Sequence, residues 1–433
     1  MLPKEDLLQF IWSVLKTSRL ELKTTEQLPL DIIKTGFHNH YDGPDFKEAI
    51  VAIGGQKWAG NIEIHVQSAD WLKHNHQKDA AYQNVVLHVV YEHNQDIILV
   101  DKTILPVLEL KHYISQNQLE AYRVLMYNHS NLPCQEMLNR VKPITLQGML
   151  NRASMDRFAE KSKQILELLI SKEGDWNTVF YHQLAKNFGF KTNDAPFLAL
   201  AESIPLSILA KHKDDLDAIL SLCFGQAGFL IGKPKDAFQQ KLHEQYLILK
   251  KLYGLQLSTN ISWKMMKTRP ANYPTLRIAQ FGQLIYNSSH LFSKILTLKE
   301  IPQLIRLFEV SATAYWQSHS NFGQLRSKKI DGKLGLSSKY LLLINTVCQT
   351  LFAYSNYTQE EAYKMQAIDL LSSLPPENNK IIATYSKHYF TINNALESQG
   401  AIGLMQLYCS KKKCMNCTIG QQLVLNNPNP VNP

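Results

Sequence analysis

The chain has 433 residues, 45% hydrophobic and 19% charged, with 46 Lys and Arg against 37 Asp and Glu. That mixture is too apolar for a disordered chain and too long for a disulfide-stapled miniprotein, and it suffices for two or three cores. No run reaches the roughly 18 apolar residues of a membrane span, MLPKEDLLQF lacks the layout of a signal peptide, and six cysteines argue against a secreted disulfide framework, so a soluble cytoplasmic protein with no membrane association is expected.

From the N-terminus, Leu7, Leu8, Ile11, Val14 and Leu15 recur at helical spacing within residues 4–20. Four β-type runs follow at 46–53, 61–66, 85–91 and 104–110, punctuated by Gly43-Pro44, Gly54-Gly55 and Asn94-Gln95-Asp96. Between the second and third runs, residues 68–82 read as a helix with Ser68 as N-cap and Asp70 in its first turn. From about residue 115 apolar residues stand three and four apart, over 146–169, 236–255, 278–296, 301–318 and 339–354. The expected fold class is α+β. An α/β module covers 1–125, a mostly α-helical domain closed by a cysteine cluster covers 126–425, and 426–433 is a disordered tail.

Charge follows the same division. Residues 1–125 carry 12 Lys and Arg against 16 Asp and Glu, a net of −4, and 8 of the 15 histidines, which leaves a net of +13 for the rest. A basic body attracts polyanions without specifying one, so DNA or RNA is the expected class of partner; a merely solvated Lys-rich surface has the same composition.

The sharpest local pattern is Asn61-Ile62-Glu63-Ile64-His65-Val66-Gln67. Alternation along a strand puts the three aliphatic residues on one face and Asn61, Glu63, His65 and Gln67 on the other. Asp45 precedes the neighbouring run, and a hairpin through Gly54-Gly55 would bring it beside Glu63 and His65. Two adjacent carboxylates repel unless a cation lies between them, and Mg²⁺ or Mn²⁺ suits such oxygen donors. Asp70, His74 and His76 follow in Asp70-Trp71-x-x-His74-x-His76; they read either as supplements to a metal or phosphate site or as an exposed helix end. His88 sits in a run apolar on both faces, as a buried histidine or one turned toward Glu63 and His65.

Acidic residue after Gly-Pro, hairpin, then Glu-x-basic on the next strand resembles the PD-(D/E)xK restriction-endonuclease-like core. The resemblance implies that Asp45 and Glu63 are metal ligands and that His65 takes the basic position, where the family has Lys; Gln67 fits a glutamine found two residues further on in some members. The departure at His65 leaves water positioning, metal ligation or loss of activity open. Glu109-Leu110-Lys111 repeats the tripeptide too late in the element order. The implied activity is metal-dependent phosphodiester hydrolysis. The alternatives are a catalytically inactive nuclease-like fold that binds nucleic acid or protein, and hydrolysis of a small phosphorylated compound.

Cys409, Cys414 and Cys417 lie within nine residues and need a fourth donor to hold zinc or an iron–sulfur cluster. Cys223 and Cys348 sit in apolar helical patterns and read as core, whereas Cys134 follows Pro133 in a loop and is the expected fourth ligand. One cysteine before a helical body and three after it resembles the iron–sulfur staple of certain helicase-nucleases and exonucleases, although their nuclease motif lies between the cysteines. Arg269 and Arg277 flank Pro270 and Pro274 ahead of a helix and read as phosphate-binding or as packing and capping residues.

Over nearly its full length the chain is similar to a bacterial domain-of-unknown-function family. The residues that carry this are Gly43-Pro44-Asp45-Phe46, Gly60-Asn61-Ile62-Glu63-Ile64-His65, Asp70-Trp71, His74-x-His76, 84–90, Phe224-Gly225-Gln226-Ala227-Gly228, Arg269-Pro270-x-Asn272-x-Pro274-Thr275-x-Arg277 and the terminal cysteines. That resemblance implies no established activity.

Overall fold

A computed structural model of the chain describes residues 2–18, 20–257, 261–265 and 272–426. Arg269 and the tail 427–433 lie outside them. The fold is α+β, a mixed sheet region followed by a mostly helical one. Packing divides it into two compact units, Met1–Leu150 with Thr384–Thr391 and Gly403–Pro433, and Asn151–Ala383 with Ile392–Ile402. The first unit runs to residue 150 before the chain enters the second. The cysteine-bearing C-terminal segment belongs to the first unit, where Lys412 donates to the carbonyl of Asn128 and Gln422 to that of Arg140.

The first unit opens with α1 (Glu5–Leu15), whose Leu7, Leu8, Phe10, Ile11, Trp12 and Leu15 are buried. Seven strands follow, β1 (Leu22–Lys23), β2 (Pro29–Lys34), β3 (Phe37–His38), β4 (Phe46–Ile53), β5 (Gln56–Gln67), β6 (Val85–Glu92) and β7 (Val107–Glu109). They form one sheet in the order β1-β2-β4-β5-β6-β7, with β3 on β4. Strands β4 and β5 pair antiparallel, and β5, β6 and β7 run parallel. Gly54 and Gly55, at φ 59° and 87°, close the β4–β5 hairpin in the left-handed region that a two-residue turn demands. The β5 strand begins five residues before the sequence suggests, because Gln56–Gly60 pairs with β4. At Gly60 a Cβ would come within 2.4 Å of Val86 Cγ1 and 2.6 Å of the Asn84 carbonyl, so only glycine allows β5 this close to the chain entering β6.

The single helix expected over 68–82 is absent. The chain makes α2 (Asp70–Lys73) and two 3₁₀ turns, His76–Lys78 and Ala80–Tyr82. Asn75 at φ 61° breaks it, a left-handed conformation that helices do not contain. Ser68 does not cap; its hydroxyl accepts from the amides of Asn94 and Gln95, both at 2.9 Å. After β7 come α3 (Gln116–Tyr127), with a capping box between Ser115 and Gln118, and α4 (Pro143–Ser171).

The second unit is helical around a large apolar core. It includes α5 (Trp176–Phe188), α6 (Asp194–Ser203) and the helices Leu216–Gln226 and Ala237–Tyr253. Cys223 and Cys348 are fully buried in that core, where desolvation pushes the Cys223 thiol up to about 12. The helix expected over 278–296 is two, Pro274–Asn287 and Leu291–Thr297, separated where His290 takes φ 55°. Residues 301–318 likewise form Ile301–Leu307 and Ala314–Ser318, and 339–354 contains a π-helical stretch, Leu343–Cys348. No helix among the described residues is long and apolar enough to cross a membrane.

Candidate functional site

Asp45 stands at the entrance to β4. The side-chain amide of Asn39 donates to the carbonyls of Tyr41, Asp42 and Pro44 and so fixes the preceding loop. Just beyond Asp45 the β4–β5 register slips between Phe46 and Ala49, and Glu48 sits at φ 56°. Such a bulge re-aims the side chains beside it, and backbone strain of this kind gathers at functional sites.

The hairpin brings the two carboxylates together. The Asp45 amide donates to Glu63 Oε2 at 3.1 Å, and Asp45 Oδ2 accepts from the Ile64 amide at 3.0 Å. Asp45 Oδ1 accepts from Gln9 on α1 at 2.8 Å. Glu63 Oε1 lies 3.4 Å from both His65 Nε2 and His76 Nε2, and His65 Nε2 lies 3.1 Å from His74 Nδ1. On the other side of its ring, His65 Nδ1 meets His88 Nε2 at 2.9 Å. The polar face of β5 is therefore covered at Glu63 and His65. Glu63 is 6% exposed and His65 1%. The break at Asn75 lets His74 reach His65 while His76 reaches Glu63, which a continuous helix could not do. His76 stacks on Tyr82 with ring centroids 3.8 Å apart.

Burial shifts these groups in one direction, away from charge. Desolvation, then Asp45, pushes the Glu63 carboxyl up to about 9, and desolvation, with Glu5 adding to it, raises Asp45 to about 7. Desolvation, then the neighbouring imidazoles, lowers His65 to about 2; desolvation and then His74 lowers His76 to about 4. His88 falls to about 3, again through burial first and His76 second. Neutral carboxyls and neutral imidazoles, their lone pairs converging, are what a buried metal site consists of before its ion.

The donor set fits a metal. Zn–N bonds of about 2.0–2.1 Å imply ligand–ligand edges of about 3.3–3.4 Å in a tetrahedron; three of the six separations among Glu63 and the histidines are close to this, at 3.1, 3.4 and 3.4 Å. His65, His74 and His76 have ligand atoms all within 4.8 Å of one another. His76 Nε2 is buried and makes no hydrogen bond. If His65 Nδ1–H donates to His88, the His65 Nε2 lone pair is left facing the cluster, which is how a hydrogen-bond partner behind the ring fixes the tautomer of a ligating histidine.

Other expected residues lie elsewhere. The Gln67 side chain reaches Glu92, and the Gln67 backbone N–H donates to Asp70 Oδ2 at 3.0 Å. Asp70 also takes Lys73 at 2.6 Å, so it shapes the turn that carries His74. Glu109 accepts from the His93 amide and Lys111 pairs with Glu92, which removes that tripeptide from the site. Arg277 is 5% exposed and its guanidinium faces inward, to Gln280, Asn272 and Ser338, where desolvation lowers it to about 10. It stands in the first turn of the helix Pro274–Asn287, with its guanidinium engaged by these neighbours. Two residues went unread in the sequence, Gln9 and Glu5 on α1; Glu5 is raised by burial and acts on both Asp45 and Glu63. Their i,i+4 spacing was the available signal.

The C-terminal thiols gather in the same unit. Cys409 ends a π-helical turn, Cys414 opens a 3₁₀ turn, and Cys417 precedes the helix Thr418–Leu425. Cys134, 8% exposed, is raised by burial and then by Cys409, Cys417 and Cys414, so all four lie close enough to act on one another's charge. Tyr385 Oη meets Cys409 Sγ at 3.3 Å. None of the cysteines is in a disulfide.

No curated protein and no solved structure matches the chain. Residues 5–380 match the model of the family described as protein of unknown function (DUF2851), and the chain belongs to that family.

Proposed function

We propose that the N-terminal unit is a metal-dependent phosphodiesterase acting on DNA or RNA, with a PD-(D/E)xK-like site. The observation that carries this reading is the hairpin itself: Asp45 at the entrance to its first strand hydrogen-bonded to Glu63 of Glu63-x-His65 on its second, behind a helix and ahead of a parallel strand. Glu63, His65, His74 and His76 would hold the ion, with Asp45 beside them. Three imidazoles and carboxylate oxygen favour Mn²⁺ or Zn²⁺ over Mg²⁺. When bound, the metal supplies a Lewis acid and a hydroxide near neutral pH. The chain's own residues do the rest. Asp45 and Gln9 fix the carboxylate pair, and His88 orients His65. His65 is held neutral, so it offers a lone pair where lysine would offer charge. The four thiols would bind zinc or an iron–sulfur cluster and tie the C-terminal segment to the loop at Cys134.

The test is cleavage of labelled single- and double-stranded DNA and RNA with Mn²⁺, Zn²⁺ or Mg²⁺. Glu63→Ala is expected to abolish cleavage and keep binding. Binding with a steep salt dependence and no cleavage by the native chain would favour the inactive, binding-module reading. Absence of both would leave hydrolysis of a small phosphorylated compound.

A further inference from the structure

A cavity of about 500 Å³ lies in the helical unit, independent of the site above. Arg157 and Lys161 stand four residues apart on α4, an arrangement that places like charges side by side. Lys186 on α5 adds a third cation, and all three are half-buried. Desolvation, then Arg157, then Lys186 holds Lys161 below its usual range; desolvation does the same to Arg157. With Lys191, the lining carries four cations against two carboxylates, Asp194 and Glu377. Folding has gathered more positive charge here than the protein neutralises.

The wall is built to hold these groups still. Arg157 Nε donates to Gln399 at 2.9 Å, and Gln399 donates to the buried Glu377 at 2.5 Å. Asn345 lies in the π-helical stretch, and its carbonyl accepts from Asn187 at 2.8 Å. π-helical insertions are rare and concentrate at functional sites. Phe190 and Lys191 take φ 46° and 67°, two successive non-glycine residues in the left-handed region. The strain presents an aromatic ring to the cavity wall, with the Arg277 guanidinium 4.3 Å from its centroid.

We propose that this cavity binds a nucleoside monophosphate, its phosphate on Arg157, Lys161 and Lys186 and its base against Phe190. A dianionic phosphate matches the excess of two positive charges, guanidinium and ammonium groups are its usual partners, and the volume lies within the range of small-ligand pockets.

The experiment is calorimetric titration of the full chain, at low salt with chelator, against AMP, inorganic phosphate and adenosine. AMP is expected to bind more tightly than phosphate, and adenosine more weakly than AMP. Lys161→Met and Lys186→Met, which keep the apolar stem, should each weaken AMP at least about tenfold, the loss of one hydrogen bond to a charged group. Phe190→Leu should weaken AMP and leave phosphate unchanged. Glu63→Gln should bind AMP as the native chain does, so failure at one site is separable from failure at the other. No AMP binding at millimolar concentration, AMP affinity within twofold of native in both lysine variants, or loss of binding in Glu63→Gln would overturn the proposal.

Discussion

Replacing Glu63 by Gln should stabilise the metal-free protein while destroying its response to metal. Burial and Asp45 raise the Glu63 carboxyl to about 9, against 4.5 as its ordinary value. A carboxyl raised in the folded state contributes its full stability below the unfolded value and loses it as pH climbs toward the folded one. At pH 7 the chain has moved 2.5 units along that slope, about 3 kcal/mol at 1.36 kcal/mol per unit. Glutamine is neutral at every pH and avoids that cost. Its oxygen can keep the 3.1 Å bond from the Asp45 amide, and its NH₂ would face His65 Nε2 and His76 Nε2 where Oε1 now lies at 3.4 Å. For a unit of this size about 3 kcal/mol corresponds to roughly 6–12 °C in melting temperature. Scanning calorimetry of chelated protein should show that gain at pH 7, shrinking below about 1 kcal/mol near pH 5. Mn²⁺ or Zn²⁺ at a hundred times its dissociation constant should then stabilise the native chain by about 2.7 kcal/mol and leave the variant unmoved. A variant less stable than the native protein at pH 7, or a difference independent of pH, would refute the claim that packing holds Glu63 neutral. Equal stabilisation of both by metal would remove Glu63 from the ligands.

Removing His88, 0% exposed and bonded to His65 at 2.9 Å, should lower metal affinity by roughly 10–100-fold without abolishing binding, whereas His76→Ala should abolish it; competition with a chromophoric chelator reads both. Cys414→Ser is expected to remove the metal or cluster at the four thiols, seen as lost zinc in elemental analysis or lost visible absorption, while Cys223→Ser, whose thiol is buried in the helical core, should change neither. His182 is 4% exposed and lowered to about 4 by desolvation, then by Lys172. A histidine depressed in the fold keeps its stability above its unfolded value near 6.5 and loses it as pH falls toward 4. His182→Leu should therefore flatten the stability loss between pH 7.5 and 4.5 by about 3 kcal/mol in urea titrations.

The central hairpin was legible because two local signals agreed. A β-branched run ended at Gly54-Gly55, and period-2 alternation put Glu63 and His65 on one face. Strands β1, β2 and β3 gave no such signal; β1 and β3 are two residues each, and in β2, Pro29–Lys34, only Leu30 is buried. The larger miss was residues 68–82. Their composition suits a helix, yet the left-handed Asn75 divides it, and the Ser68 hydroxyl, taken by the Asn94 and Gln95 amides, does not cap it. Tertiary bonds overrode propensity there, and the division is what points His74 and His76 inward. Gln9 and Glu5 looked like the polar side of an amphipathic helix, and only the fold reveals that this side faces Asp45. The basic cavity was illegible for a different reason: its cations come from 157, 161, 186 and 191, and nothing local distinguishes them from a solvated face.

In the proposed nuclease reading, His65 stands where that superfamily has lysine, and this would have consequences beyond one residue. A lysine at this 1%-exposed position would carry a fixed charge between Glu63 and three imidazoles, and would repel a bound cation. A neutral imidazole removes that repulsion and adds a donor atom 3.4 Å from Glu63 Oε1. Once His65 is a donor, His74 and His76 fall within ligating distance of the same point, and His88 has a reason to be buried with its Nε2 on His65 Nδ1. On that proposal, charge that builds up on a substrate phosphate would be met by the ion and not by a fixed cation in the place of His65. Activity should accordingly track occupancy by a nitrogen-preferring metal, rising with Mn²⁺ or Zn²⁺ at concentrations where Mg²⁺ leaves the protein inactive.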